Sequence, residues 1–146
     1  MIYIEELTHI PRIPNEILLT VEQAEQNENV FQGNAKSDVY GSYKANPELV
    51  EWVQQYFDYP VITRYQVIHK NLPIHRDDGI LGMKANYLIT SGGDVLTQWW
   101  DDDNNPTKLC HEVICDTHKW YNLNIQEPHC VINLTSTRFS VTVRKK

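Results

Sequence analysis

The chain has 146 residues, 41% of them hydrophobic, and a formal net charge of −6. That length fits a single domain over residues 1–146, able to bury roughly two-thirds of its unfolded surface without disulfide staples. The hydrophobic content argues against disorder, and the acidic balance disfavours a general nucleic-acid binder, which needs a basic face.

Residues 1–8 read as a strand. The start, Met1-Ile2-Tyr3-Ile4-Glu5-Glu6, lacks the basic region and apolar core of a signal peptide. No run in the chain approaches the apolar length of a bilayer span. A helix is expected from Asn15 to about Gln26, with Pro14 before it and Ile17, Leu18, Val21 and Ala24 near helical spacing. Residues 27–45, rich in Asn, Gly, Ser and Lys, read as a long loop. A second helix is expected over about 47–57. Asn46 suits its N-cap, Pro47 its first position, and Glu48 and Glu51 its positive end. Leu49, Trp52, Val53 and Tyr56 fall on one side, and Tyr59-Pro60 ends it.

From Val61 onward the chain reads as short strands, near 61–69, 83–90, 94–100, 108–115, 118–125, 129–135 and 137–144. Breaks fall at Asn71-Leu72-Pro73, Ser91-Gly92-Gly93, Asp101 to Pro106 and Glu127-Pro128. This spacing predicts a mostly β sandwich or barrel, its core at about 61–144, with helices packed outside. Cys110, Cys115 and Cys130 are an odd number of cysteines without an export signal, so they read as reduced thiols in a cytoplasmic protein.

Two motifs carry chemistry. In His75-Arg76-Asp77, residues at i and i+2 on an extended segment share a face, so an imidazole and a carboxylate can bind adjacent positions on one metal. Farther on, His129 opens a strand, a tight turn follows, and Arg138 and Ser140 share a face of the next strand. A guanidinium grips a carboxylate through two hydrogen bonds, and the neighbouring hydroxyl can add a third.

Together, His75-x-Asp77, His129 and Arg138-x-Ser140 in a β-rich region resemble the 2-oxoglutarate and iron(II)-dependent dioxygenase superfamily. Trp120-Tyr121-Asn122-Leu123-Asn124 and Lys84-Ala85-Asn86-Tyr87-Leu88-Ile89 look like its small aspartyl/asparaginyl-hydroxylase-like members and compact phage and bacterial versions. The resemblance covers roughly residues 61–144. It implies a double-stranded β-helix, or jelly roll, with His75 and Asp77 on the second core strand, His129 on the seventh and Arg138 on the eighth. It implies Fe(II) held by His75, Asp77 and His129. It also implies 2-oxoglutarate chelating that metal, its far carboxylate held by Arg138 and Ser140, and dioxygen used to hydroxylate a small-molecule or peptide substrate. Asn86 or Tyr87 would touch the cosubstrate. They point to opposite faces, and Asn86 is favoured because an inward amide can donate to a carboxylate.

Other residues have competing readings. Asp78 could replace Asp77, although it faces the other way on an extended chain. Cys110-His111, Cys115 and His118 could suggest zinc, but their spacing fits no common finger. Trp99-Trp100 before Asp101-Asp102-Asp103 could form a substrate wall and an acidic loop, or one core Trp and a solvated hairpin tip. His69 could face the pocket or simply pack in its strand. Two rival functions remain: a non-enzymatic jelly-roll module, and a cupin-like metalloenzyme that does not use 2-oxoglutarate.

Overall fold

The computed structural model describes residues 1–30, 39–77 and 83–146. Asp78 and most of the Asn- and Gly-rich stretch after Val30 lie outside the described residues. Among the described residues, ten strands form two antiparallel sheets. In chain order they are β1 (Ile4–Glu6), β2 (Tyr40–Lys44), β3 (Val61–Ile68), β4 (Leu72–His75), β5 (Met83–Thr90), β6 (Leu96–Trp100), β7 (Leu109–Val113), β8 (Trp120–Asn124), β9 (His129–Ile132) and β10 (Arg138–Lys145). The large sheet runs β1-β8-β5-β10-β3-β2 and the small one β4-β9-β6-β7. From β3 onward, successive strands are shared between the sheets, which is the double-stranded β-helix. Counted from β3, the expected second, seventh and eighth core strands are β4, β9 and β10.

Alternation along each strand separates an outer from an inner face. Tyr65 and Val67 of β3, Ala85 and Tyr87 of β5, and Phe139, Val141 and Val143 of β10 join one buried apolar cluster. That cluster lies outside the large sheet, under the N-terminal third of the chain. Ile10, Ile13 and Ala24 plug into it, as do Leu49 and Val53 of α2 (Pro47–Gln54). Tyr65 stacks on Phe139 at 5.2 Å. Its hydroxyl donates to Asn46 Oδ1 at 2.8 Å and accepts from the Leu19 backbone N–H at 3.0 Å, tying the cover to the sheet. The intervening residues, Arg64 and Gln66, Lys84 and Asn86, and Arg138, Ser140 and Thr142, therefore face the small sheet.

Several expected elements differ. The helix from Asn15 to Gln26 is a 3-10 turn at Asn15–Ile17 and a single α-turn, α1 (Val21–Ala24). Thr20 causes the break: its side chain and that of Gln23 form a reciprocal capping box that starts a new helix. Asn46 occupies the N-cap of α2 but makes no capping bond, its amide going to the Ile17 carbonyl and its oxygen to Tyr65. Two strands stand where loops were expected. β2 pairs with β3 along its whole length. β4 contains Pro73, and its pairing with β9 shifts register between Leu72 and His75, as a residue without an N–H requires.

Leu49 has no exposed surface and joins α2 to the outer cluster. Leu49→Ala should cost about 2–5 kcal/mol in urea unfolding, and metal uptake by the folded fraction should be unchanged.

Candidate metal centre

β4 and β9 pair His75 directly across from His129, and β6 places Trp99 next in the same row. The two imidazole rings lie 4.4 Å apart, centre to centre. Asp77 follows β4, its backbone N–H donating to the Ile125 carbonyl at 3.1 Å. His75 Nε2 is 3.2 Å and His129 Nε2 3.3 Å from the same oxygen, Asp77 Oδ1. One donor atom from each residue fits within 4.8 Å of the other two. Arg76, between His75 and Asp77 in sequence, turns away to Asp103 at 3.5 Å and the Gln126 carbonyl at 3.4 Å.

The imidazoles are locked from behind. His75 Nδ1 lies 2.7 Å from the Pro73 carbonyl and His129 Nδ1 2.8 Å from the Glu127 carbonyl. A carbonyl only accepts, so each Nδ1 carries the hydrogen and, in the neutral ring, each Nε2 presents a lone pair. Two lone pairs and a carboxylate oxygen then converge with no hydrogen between them. Either protons or a cation must fill that point. Two imidazoles and one carboxylate that leave part of the coordination shell open match the donor set of non-haem iron(II) sites.

The local electrostatics agree. Burial works to raise the Asp77 carboxyl, but the two histidine contacts and the Lys84 ammonium at 3.9 Å hold it far below the usual carboxylate range. Burial works to lower His75, but its bonds to Asp77 and the Pro73 carbonyl, with the carboxylate charge, leave it raised.

Deeper between the sheets, at the start of β10, lies Arg138, only 6% exposed. It donates from Nη1 to the Ser91 carbonyl at 3.2 Å, and the Cys115 thiol lies beside it. No carboxylate among the described residues pairs with it. Burial lowers its pKa, but a guanidinium keeps its charge, so a cation with no acidic partner among the described residues sits inside the barrel. Gly92 makes room for it: a Cβ there would lie 3.2 Å from Arg138 Cβ and 2.9 Å from the Ser136 carbonyl, at φ +82°. Ser140 shares the inner face and donates to Gln66 Oε1 at 3.4 Å.

Asn86, 4% exposed, takes that inner face too, and its amide makes no hydrogen bond to a described residue. Tyr87 points outward into the core against Trp120. His69 turns away from the interior, bridging Glu25 and Thr137 at 3.1 Å each. Trp99 is a core residue whose indole donates to the Asn124 carbonyl. Asp101 and Asp102 organise their own hairpin tip. Cys110, His111, Cys115 and His118 do not gather, and among the described residues His75, Asp77 and His129 form the one group able to hold a metal. Lys84, Gln66 and Thr142 were not singled out from sequence. Their signal was the inner-face alternation with Asn86 and Ser140, which needs the cross-strand register to become visible.

No protein-family model and no curated protein matches this sequence. Solved structures match in fold. An Fe(II)-HppE structure with the alternative substrate (S)-1-HPP aligns with a TM-score of 0.52 at 12% identity, over 86% of this chain and 60% of that one. Another Fe(II) HppE structure gives 0.51 at 11% identity, over 92% of this chain and 64% of the other. An oxalate decarboxylase structure gives 0.48 at 11% identity, over 85% and 29%. This chain thus spans less than two-thirds of the HppE chains it resembles. At such identities the HppE likeness establishes the fold, a cupin-like jelly roll.

His75→Ala or His129→Ala should lower iron(II) affinity by orders of magnitude while leaving the far-ultraviolet dichroism of the β fold intact. Full metal occupancy in either purified variant would dismiss the ligand set. Metal binding should also depend on pH in one direction. Ligation needs neutral imidazole, so affinity should be full above the raised pKa of His75 and fall as pH drops through it. Asp77 stays ionised across that window. Calorimetric titrations at a series of pH values check the sign.

Proposed function

We propose that this chain is a non-haem iron(II) oxygenase that couples oxidative decarboxylation of 2-oxoglutarate to hydroxylation of a substrate. His75, Asp77 and His129 would hold the metal. The observation that carries the reading is Arg138, a buried guanidinium without an acidic partner among the described residues, in a jelly roll that also holds the His/Asp/His cluster. A bare buried charge costs several kcal/mol, and a dicarboxylate cosubstrate would supply the missing counter-charge.

Iron(II), when bound, supplies the redox chemistry by which dioxygen and 2-oxoglutarate yield succinate, carbon dioxide and a hydroxylated product. The chain's own residues bind and orient. The Nδ1 contacts to Pro73 and Glu127 keep both Nε2 atoms aimed at the metal position. Arg138 grips the far carboxylate of the cosubstrate, with the Ser140 hydroxyl beside it and the Asn86 amide, unbonded among the described residues, as a further donor. Buried Leu88, Trp99 and Val131 keep that interior poor in water.

A second reading is a cupin-like metalloenzyme that does not use 2-oxoglutarate. It is favoured by the bonds Arg138 and Ser140 already make within the chain, to Ser91 and Gln66. Anaerobic titration of iron(II) and 2-oxoglutarate separates the two. The oxygenase reading expects a weak visible charge-transfer band that needs both. Arg138→Ala should leave iron binding nearly unchanged and weaken 2-oxoglutarate by roughly 2–4 kcal/mol, since a charge-assisted contact is lost in a buried place. Ser140→Ala should cost about 1 kcal/mol, and Arg138→Lys should rescue only in part, because an ammonium cannot form the planar fork. If the wild type takes up iron yet shows no affinity for 2-oxoglutarate at millimolar concentration, the second reading stands instead.

A further inference from the structure

We infer that the end of the barrel bearing the metal cluster carries a second anion site, formed by Arg64, Arg144 and Lys84 around the Thr142 hydroxyl, which binds an oxyanion group of the substrate. Register assembles it. Arg64 on β3 lies across from Thr142 on β10, and Thr142 lies across from Asn86 on β5. The last pairing of β10 with β5 is Val143 with Ala85, so Arg144 and Lys84 are the next neighbours in the ladder. Val143 and Ala85 point into the outer cluster, which leaves Arg144 and Lys84 on the inner side. The Lys84 ammonium, 3.9 Å from Asp77 Oδ2, ties this group to the metal cluster.

Among the described residues the charges there are not balanced. Neither Arg64 nor Arg144 forms an ion pair or a side-chain hydrogen bond with a described residue. Both are half-buried. Burial, and then the nearby Arg144 charge, push the Arg64 guanidinium down. The chain has 19 acidic side chains and a net charge of −6, yet Asp77 is the one described carboxylate that meets this group, through Lys84. Two guanidiniums close enough for the charge of Arg144 to act on Arg64 repel unless an anion joins them, and their forks match the edges of a phosphoryl or carboxylate group. This site is not the clamp assigned to 2-oxoglutarate. Arg138 and Arg144 lie six positions apart on one strand, roughly 20 Å along its length.

That the bound anion belongs to a substrate rests on the oxygenase reading; that an oxyanion binds here does not. The test uses the full metal-free chain, titrated with methyl phosphate and, separately, with acetate, and followed by amide chemical shifts. Saturable binding of at least one is expected, and the stronger of the two identifies the group. Arg64→Gln and Arg144→Gln should each weaken it by roughly tenfold or more, Arg64→Lys should keep a larger share, and Arg138→Ala should leave it intact. Thermal melts check folding. Without the anion, Arg64→Gln should melt no lower than wild type, because a repulsion is relieved, and added methyl phosphate should stabilise wild type only. Equal affinity in wild type and both glutamine variants, loss on Arg138→Ala instead, or no binding at tens of millimolar would each overturn the site. So would a chain that binds a single-stranded oligonucleotide but neither small anion. A wild type that takes up no iron(II) would sink the oxygenase reading alone and leave the oxyanion site standing.

Discussion

Two imidazole nitrogens aimed at one carboxylate oxygen are the arrangement on which the rest of this molecule turns. Separations of 3.2 and 3.3 Å are too short for lone pairs to face an anion in comfort. The chain nevertheless enforces them, because backbone carbonyls at Pro73 and Glu127 take the opposite ring nitrogens. Both carbonyls sit two residues before their histidine, so the lock is local. The convergence is not: it requires β4 and β9 to pair with His75 opposite His129. A one-residue slip would turn an imidazole to the far face of the small sheet. The register of a short strand with a proline in it is therefore what the His/Asp/His cluster depends on.

The same constraint explains how labour divides between the two faces of the large sheet. Its outer face is apolar and covered by the N-terminal third of the chain, with Tyr65, Tyr87 and Trp120 among its largest buried groups. Its inner face carries Arg138, Ser140, Thr142, Asn86 and Lys84. Arg138, Ser140 and Lys84 find partners in Ser91, Gln66 and Asp77, but burying polar groups still carries a desolvation cost, which packing on the outer face offsets. The stabilising core and the polar interior are two sides of the same strands. Substitutions on alternate residues of β10 should accordingly affect different properties.

Much of this was legible in the sequence because it was local. The alternation from Val61 onward marked the strands, and His75-x-Asp77 and Arg138-x-Ser140 marked shared faces through their spacing alone. Three features were hidden for physical reasons. β4 was masked by Pro73, which reads as a break until the edge strand it belongs to is known. β2 is five residues, Tyr40 to Lys44, inside a stretch whose composition favours a loop. The helix after Asn15 was interrupted by Thr20, whose cap competes with continuation. What no local pattern could supply was cross-strand register, which brings Gln66 to Ser140 and Arg64 to Thr142, and the packing of one sheet on the other, which brings Lys84 to Asp77.

The turn after β5 has a positioning role of its own. The turn Ser91-Gly92-Gly93 joins the sheets at the Arg138 end of the barrel, and the Gly92 carbonyl accepts from the N–H groups of both Thr135 and Ser136. The turn leading into β10 is thereby pinned to the turn leaving β5. Ser91 then offers its carbonyl to the Arg138 guanidinium. Gly92 and Gly93 have φ of 82° and 118°, conformations that side chains resist. A Cβ at Gly92 would press on Arg138 and one at Gly93 on Thr135. The pair is thus required twice, once for its backbone and once for the space it leaves. What looked like a strand break is the part that seats the buried guanidinium, much as Pro73 and Glu127 seat the histidines. In each case a backbone carbonyl fixes the side chain, and the strand register decides what that side chain meets.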